Sequence, residues 1–236
     1  MQLFYQKNSS PPSIILDSDE SKHLIKVLRK KIGDTIHVTN GVGELFECLI
    51  KEISQKKTVL EVIETSQSPL DNFYIHLVIA PTKNADRMEW MLEKATEIGF
   101  HELTLIKTEN SERSNLRLDR LEKKMVSACK QSLKYRFPLI NSIVSFEEFI
   151  EKEEFDDYQK FIAYVDENHR DHLMDLALQK GKYLILIGPE GDFSPREIKL
   201  AFEKSFKPVS LGKSRLRTET AGLTAVHILQ LINKAN

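Results

Sequence analysis

LILIGPEGDFSPREIKLA, Leu184 to Ala201, reads as a buried strand that ends in a turn and starts a helix. Leu184–Ile187 is an unbroken aliphatic run, the pattern of a strand covered on both faces. The Gly188-Pro189-Glu190-Gly191 turn stops it, and Ser194-Pro195-Arg196-Glu197 is a capping box with proline at the first helical position. The same design recurs downstream. PVSL (Pro208–Leu211) leads to Gly212, then to a loop carrying Lys213, Arg215 and Arg217, then to a helix from about Thr218. In a parallel sheet such turns lie beyond the carboxyl ends of the strands, where ligands bind. Gly188 and Gly191 have no Cβ, so ligand atoms could lie against their main chain. Taken singly, the first turn is equally well a plain tight turn; two adjacent strand ends, each with Gly, predict two walls of one pocket.

From Phe73 onward, strands and helices alternate. YIHLVIA (Tyr74–Ala80), LTLI (Leu103–Ile106), FIAYV (Phe161–Val165) and YLILI (Tyr183–Ile187) are strand patterns. DRMEWMLEKATEIG (Asp86–Gly99) sets Met88, Met91, Leu92, Ala95 and Ile98 at helical spacing and stops at glycine. Further helices are expected over Asn115–Lys134, near Arg170–Gln179, from Pro195, and to about Lys234. Alternation of this kind implies a mainly parallel sheet covered on both faces, an α/β fold. The first 70 residues differ. IHV (Ile36–Val38), GELFECLIKEI (Gly43–Ile53) and TVLEVIE (Thr58–Glu64) alternate or are β-branched, with turns at Asn40–Gly43 and Ser54–Lys57, which suggests a small barrel interrupted by a helix over about Asp19–Lys30. The polar, proline-containing SQSPLDN (Ser66–Asn72) reads as a linker, so two domains are expected, 1–70 and 71–236.

The chain has 236 residues, 41% hydrophobic and 29% charged, ordinary values for a soluble protein. No apolar run approaches the roughly 20 residues that cross a bilayer. MQLFYQKNSSPPS lacks a basic leader and an apolar segment, and Cys48 and Cys129 form no C-x-x-C pair, so a reducing cytoplasm and no structural zinc are expected. The net charge of −1 hides asymmetry. Lys107–Arg136 carries nine Lys/Arg against four acids, Arg196–Arg217 seven against two, and Phe146–Tyr158 seven acids against one Lys. Such patches either dock on a polyanion or are solvated helix faces.

Several motifs fail. Gly212-Lys213-Ser214 resembles the end of a P-loop, but Lys207 stands where its first glycine belongs; Gly41 and Gly43 sit in a hairpin and are followed by Phe46, unlike a dinucleotide fingerprint. No G-x-S-x-G occurs. Asp166, Glu167, His169, Asp171 and His172 could hold a divalent metal, but without helical His pairing they read as a strand end with helix-capping and exposed residues. His76 and Trp90 read as packing residues.

Together, IGPEGDFSPRE (Ile187–Glu197), SLGKSRLRTETAGLTA (Ser210–Ala225), KNADRMEWMLEKATEIGF (Lys83–Phe100), SERS (Ser111–Ser114) and HLIKVLRKKIGD (His23–Asp34) closely resemble the bacterial 16S rRNA uracil-N3 methyltransferases, the RsmE-type members of the SPOUT class. The resemblance implies an N-terminal PUA-like β-barrel that contacts RNA and a C-terminal SPOUT α/β domain with a trefoil knot. It also implies a homodimer, S-adenosylmethionine as methyl donor without a metal, and as substrate a uridine of 16S rRNA or of the small ribosomal subunit. Carried over, the donor site falls on Gly188, Pro189, Glu190 and Gly191 from one turn, and on Leu211, Gly212, Leu216, Arg217, Thr218 and Ala221 from the other. RNA contacts fall on His23, Arg29, Lys83, Arg87 and Arg113. Three positions depart from the usual pattern: Gln2, the segment Lys130–Lys134, and Asp192, which stands in place of a third glycine.

A uracil imide must lose its ring proton before that nitrogen can attack a methyl group, and a fixed cation favours the resulting anion. Arg217 is expected to be that cation, Lys213 and Arg215 to hold neighbouring phosphates, and Glu219 to orient Arg217 or accept the proton. A structural Arg217–Glu219 pair across a dimer interface is the other reading of these residues. Action on another RNA, or RNA binding without turnover, are the alternatives at the level of function.

Overall fold

The computed structural model describes residues 1–113, 116–165 and 171–234. Two compact units divide it: Met1–Leu70 with Val126–Phe137, and Asp71–Met125 with Pro138–Asn236.

The first unit holds β1 (Leu3–Tyr5), β2 (Ser13–Leu16), α1 (Ser18–Lys26), β3 (Thr35–Thr39), β4 (Glu44–Ile53) and β5 (Thr58–Gln67). They make one five-stranded sheet in the order β1-β3-β4-β5-β2, antiparallel except for the β1–β3 pair. Alternation sends Phe46, Cys48 and Ile50 of β4 into a core with Phe4, Leu16 and Leu60, closed by Leu24 of α1. The Asp17 carboxylate caps α1 by accepting from the Asp19 and Glu20 amides. The helix expected to run to Lys30 ends at Lys26, because the chain turns left-handed at Arg29 (φ 52°) and the Lys30 amide bonds back to the Leu24 carbonyl.

Val126–Phe137 completes this unit. Lys130 pairs with Glu20 and lies 5.8 Å from the centre of the Phe4 ring. Phe137 packs on Tyr5, and the Gly43 amide donates to the Tyr135 carbonyl at 2.8 Å. Gly43 takes φ 108°, a backbone conformation strained for any residue with a Cβ.

The second unit contains β6 (Tyr74–Ile79), α2 (Ala85–Ile98), β7 (Glu102–Lys107), the start of α3 (Leu118–Gln131), β8 (Leu139–Ser145), α4 (Phe146–Ile150), a 3-10 turn (Glu153–Phe155), β9 (Gln159–Ala163), α5 (Leu173–Leu176), β10 (Lys182–Ile187), α6 (Pro195–Glu203), β11 (Lys207–Val209) and α7 (Thr218–Lys234). Its six strands are all parallel, in the order β11-β9-β10-β6-β7-β8. β8 was not expected, since LINSIVS is interrupted by polar residues; it is an edge strand and stays partly exposed. The acidic stretch Phe146–Tyr158 is also more than a solvated face. Its acids point outward while Phe146, Phe149, Ile150 and Phe155 enter the core beside Val78, Leu184 and Leu186. The expected helix over Arg170–Gln179 shortens to α5, and Arg170, like Asn115 at the expected start of α3, lies outside the described residues. Cys48 and Cys129 are buried thiols, each pushed up to about 12 by loss of water.

His76, 1% exposed on β6, shares a hydrogen with Thr104 Oγ1 at 2.8 Å and packs edge-on against Phe149 and Phe155. Burial lowers its pKa to about 4, against the smaller opposing pull of Glu102. The unfolded imidazole titrates near 6.5 and takes up its proton first. Stability from this residue is therefore whole above pH 6.5 and is lost as pH falls through 4, a difference of about 3 kcal/mol. Urea unfolding of His76→Gln at pH 7 and pH 4 should show a smaller loss between the two than the parent chain shows.

Candidate active site

Because the sheet is parallel, β9, β10 and β11 deliver their carboxyl ends to one edge, and the loops that follow enclose a cavity of about 530 Å³. Ala163, Tyr164 and Val165 come from the end of β9; Gly188, Pro189, Glu190 and Asp192 from the turn after β10; Leu211–Thr218 from the loop after β11; and Ala221 from α7. The two glycine-bearing strand ends thus face one space. Gly191 does not line it: its carbonyl is taken by Asn110 Nδ2 at 3.1 Å.

Asp192 explains how the turn keeps its shape. Its φ of 61° is the left-handed conformation that glycine adopts most easily, so the backbone expected of a glycine is retained. The side chain adds a tie that glycine could not make. One oxygen accepts from the Val165 amide and the other from the Phe193 amide, each at 2.8 Å, which joins the loop after β9 to the turn after β10. The Asp192 amide closes the turn on the Pro189 carbonyl at 2.9 Å.

Glu197, 1% exposed, anchors the same turn from below. It completes the capping box by accepting from the Ser194 amide at 2.8 Å, and its other oxygen accepts from the Glu109 amide at 2.9 Å. In the loop after β11, Gly212 takes φ 138°, a conformation strained for any residue with a Cβ, and its amide donates to Ser210 Oγ at 3.2 Å.

Lys213, Arg215 and Arg217 are exposed on the cavity's third wall. Glu219 is 6% exposed, and within the chain it pairs with Arg87. Oε1 lies 3.8 Å from Arg87 Nε, no ion pair joins it to Arg217 among the described residues, and Oε2 is buried without a hydrogen-bond partner. The first turn of α7 points this carboxylate toward α2 rather than back at Arg217. Lys83 and Arg113, expected to contact RNA, also hold structure: Arg113 donates twice to the Lys83 carbonyl, at 3.0 and 2.7 Å, and Lys83 Nζ pairs with Glu112 at 2.7 Å. His23 and Arg29 belong to the first unit, where His23 stands edge-on to Phe4 and Arg29 is exposed.

Among the described residues no group of three or more His, Cys, Asp or Glu is placed to hold a metal. Of the suggested cluster, Asp166, Glu167 and His169 lie outside the described residues. His172 caps α5 by accepting from the Met174 amide, and the Asp171 carbonyl accepts from the Ser210 amide.

A model of the RNA methyltransferase domain matches residues 69–230, and a model of the RNA methyltransferase PUA domain matches residues 16–63. The chain belongs to the RNA methyltransferase family. The fold is accordingly that of a SPOUT methyltransferase unit that follows a PUA-like N-terminal unit in sequence. Among relatives of this methyltransferase is the ribosomal RNA small subunit methyltransferase E of Buchnera aphidicola, 31% identical over 90% of this chain and 86% of that one. A crystal structure of a probable rRNA-methyltransferase from Porphyromonas gingivalis superposes with a TM-score of 0.92 at 41% identity, covering 99% of both chains. The ribosomal RNA small subunit methyltransferase E of Neisseria gonorrhoeae, solved bound to S-adenosyl methionine, gives 0.87 at 27% identity over 99% of this chain and 98% of that one. No helix among the described residues of the methyltransferase is long and apolar enough to cross a membrane.

Replacing Glu197 by Ala removes a buried acceptor from two backbone donors. The variant should lose about 2 kcal/mol of stability in urea unfolding and should release the 108–110 loop, seen as faster amide exchange there.

Proposed function

We propose that this methyltransferase uses S-adenosylmethionine to methylate the ring N3 of a uridine in the 16S rRNA of the small ribosomal subunit. The observation that carries the reading is the convergence of three parallel strand ends, with the Gly188 and Gly212 turns, on one cavity. Its volume lies in the range of about 300–1,000 Å³ usual for small-molecule sites, and its walls suit this donor. Gly188 and Gly212 allow close approach of the main chain, Leu211, Leu216 and Ala221 give apolar surface, and Glu190 and Asp192 face a positively charged ligand with carboxylates. The donor, when bound, supplies a methyl carbon on a cationic sulfur.

The chain's own residues then have defined tasks. Gly188, Pro189, Glu190, Leu211, Gly212, Leu216, Thr218 and Ala221 hold the donor, with Gly191 shaping the turn from outside the cavity. Arg217, exposed at the rim and in no ion pair among the described residues, stabilises the anion that forms as the uracil ring loses its proton. Lys213 and Arg215 hold phosphates beside it. Of the two roles open to Glu219, the ion pair with Arg87 and the unmatched Oε2 favour proton acceptance over the orientation of Arg217. Residues 1–70 bind RNA through His23 and Arg29 while 71–236 carry the transfer, aided by Arg87, with Lys83 and Arg113 shaping the loop beside it. The knotted path, the homodimer and cytoplasmic action belong to the same proposal and are supported by the resemblance of motifs.

The decisive test is mass spectrometry of small-subunit rRNA from cells with and without the protein, with one uridine expected to lose its N3 methyl group when the protein is absent. Saturable binding of S-adenosylmethionine by calorimetry checks the donor site, and its absence would overturn the assignment. Arg217→Ala should lower kcat by about a hundredfold or more with the fold kept; an unchanged rate on rRNA would remove Arg217 from the chemistry.

A further inference from the structure

A second cavity, of about 620 Å³, opens beside the donor site and shares Arg215, Leu216 and Arg217 with it. Its remaining walls include Arg87 and Trp90 from α2 and Glu219 from the first turn of α7. Two features here lack a structural explanation. Trp90 is 46% exposed on a helix whose buried face is formed by Met88, Met91, Leu92 and Ala95, so its indole is not needed for the core. Glu219 is more than nine-tenths buried, yet among the described residues the cation paired with it is 3.8 Å away, beyond hydrogen-bonding distance, and Oε2 has no hydrogen-bond partner. An under-satisfied buried carboxylate costs stability that a ligand donor can recover. The terminal torsion of a glutamate is broad, so either oxygen can turn to a donor brought into the cavity.

We infer that this cavity receives the target base, with Trp90 as its stacking face and Glu219 as the acceptor of its ring N–H. The inference rests on the methyltransferase function proposed above and adds the acceptor subsite and its selectivity. The chemistry of the walls is that of an unpaired nucleotide: an indole for the ring, arginines for the flanking phosphates, a carboxylate for a base edge. A carboxylate offers only acceptors. It therefore favours uracil, whose N3 carries hydrogen, over cytosine, whose N3 is a bare acceptor and would face it lone pair to lone pair. The wall shared with the donor cavity sets that nitrogen next to the methyl source. Arg87 is a positioning residue, keeping the Glu219 carboxylate in place.

Trp90 is the only tryptophan, so its emission reports on this cavity alone. With the protein saturated by S-adenosylhomocysteine, uridine 5′-monophosphate should quench that emission saturably, and cytidine 5′-monophosphate should bind at least about tenfold more weakly. Glu219→Gln, which presents a donor as well as an acceptor, should narrow that ratio. Trp90→Ala should lower kcat/KM on small-subunit rRNA by about tenfold or more, with donor affinity and sedimentation unchanged. Equal or absent quenching by the two nucleotides overturns the subsite, as does wild-type methylation by both variants while the parent enzyme acts on rRNA. If either variant loses rate because its oligomeric state changes, the cavity seats a second copy of the chain and the inference falls. Failure of the parent protein to methylate any rRNA would overturn the function first and this subsite with it.

Discussion

Parallel pairing forces every strand of the second unit to finish at the same edge, and the chain must then cross that edge in loops whose amides and carbonyls have lost their ladder partners. Side chains meet much of this demand. Asp192 takes the amides of Val165 and Phe193, Asn110 donates to the Gly191 and Asp192 carbonyls, and Glu197 takes the amides of Ser194 and Glu109. The bonds from Val165 to Asp192, from Asn110 to the turn after β10 and from Glu109 to Glu197 link segments distant in sequence, so the walls of the cavity are held by interactions that also satisfy the loops. A cavity assembled in this way is preorganised.

The electrostatics divide along the same line. On the loop after β11, Lys213, Arg215 and Arg217 stand exposed, whereas Lys83, Arg87 and Arg113 are engaged with Glu112, Glu219 and a backbone carbonyl. One stretch of cations is exposed to solvent, and a second set is engaged in ion pairs and hydrogen bonds. This division could not be seen in the charge counts, which give both groups equal weight.

Much of the fold was legible because its signals are local. The aliphatic runs at Tyr74–Ile79 and Lys182–Ile187, the capping box at Ser194–Glu197 and the glycine stop after α2 each state their own conformation. The convergence of the Gly188 and Gly212 turns was legible for the same reason, since strand-to-helix order places both at one sheet edge. What was missed depends on partners far along the chain. β8 is defined by pairing with β7, not by its own pattern, and Glu219 finds Arg87 across 132 residues because α7 packs on α2. The Ala163–Val165 wall lay within an expected strand, but nothing in those residues announces a ligand. Asp192 read as a departure from a glycine pattern, and only its left-handed backbone shows that the pattern's geometry survives with a new tie added.

The passage of Val126–Phe137 through the first unit has a consequence for how that unit could ever have arisen or travelled alone. A fragment cut after Leu70 would leave Glu20 without Lys130, Tyr5 without Phe137 and the Gly43 amide without Tyr135. The first unit is therefore not a bead on a string that recombination can lift out by a single cut. Its inheritance is bound to that of the catalytic half, and any exchange between relatives has to carry both stretches together.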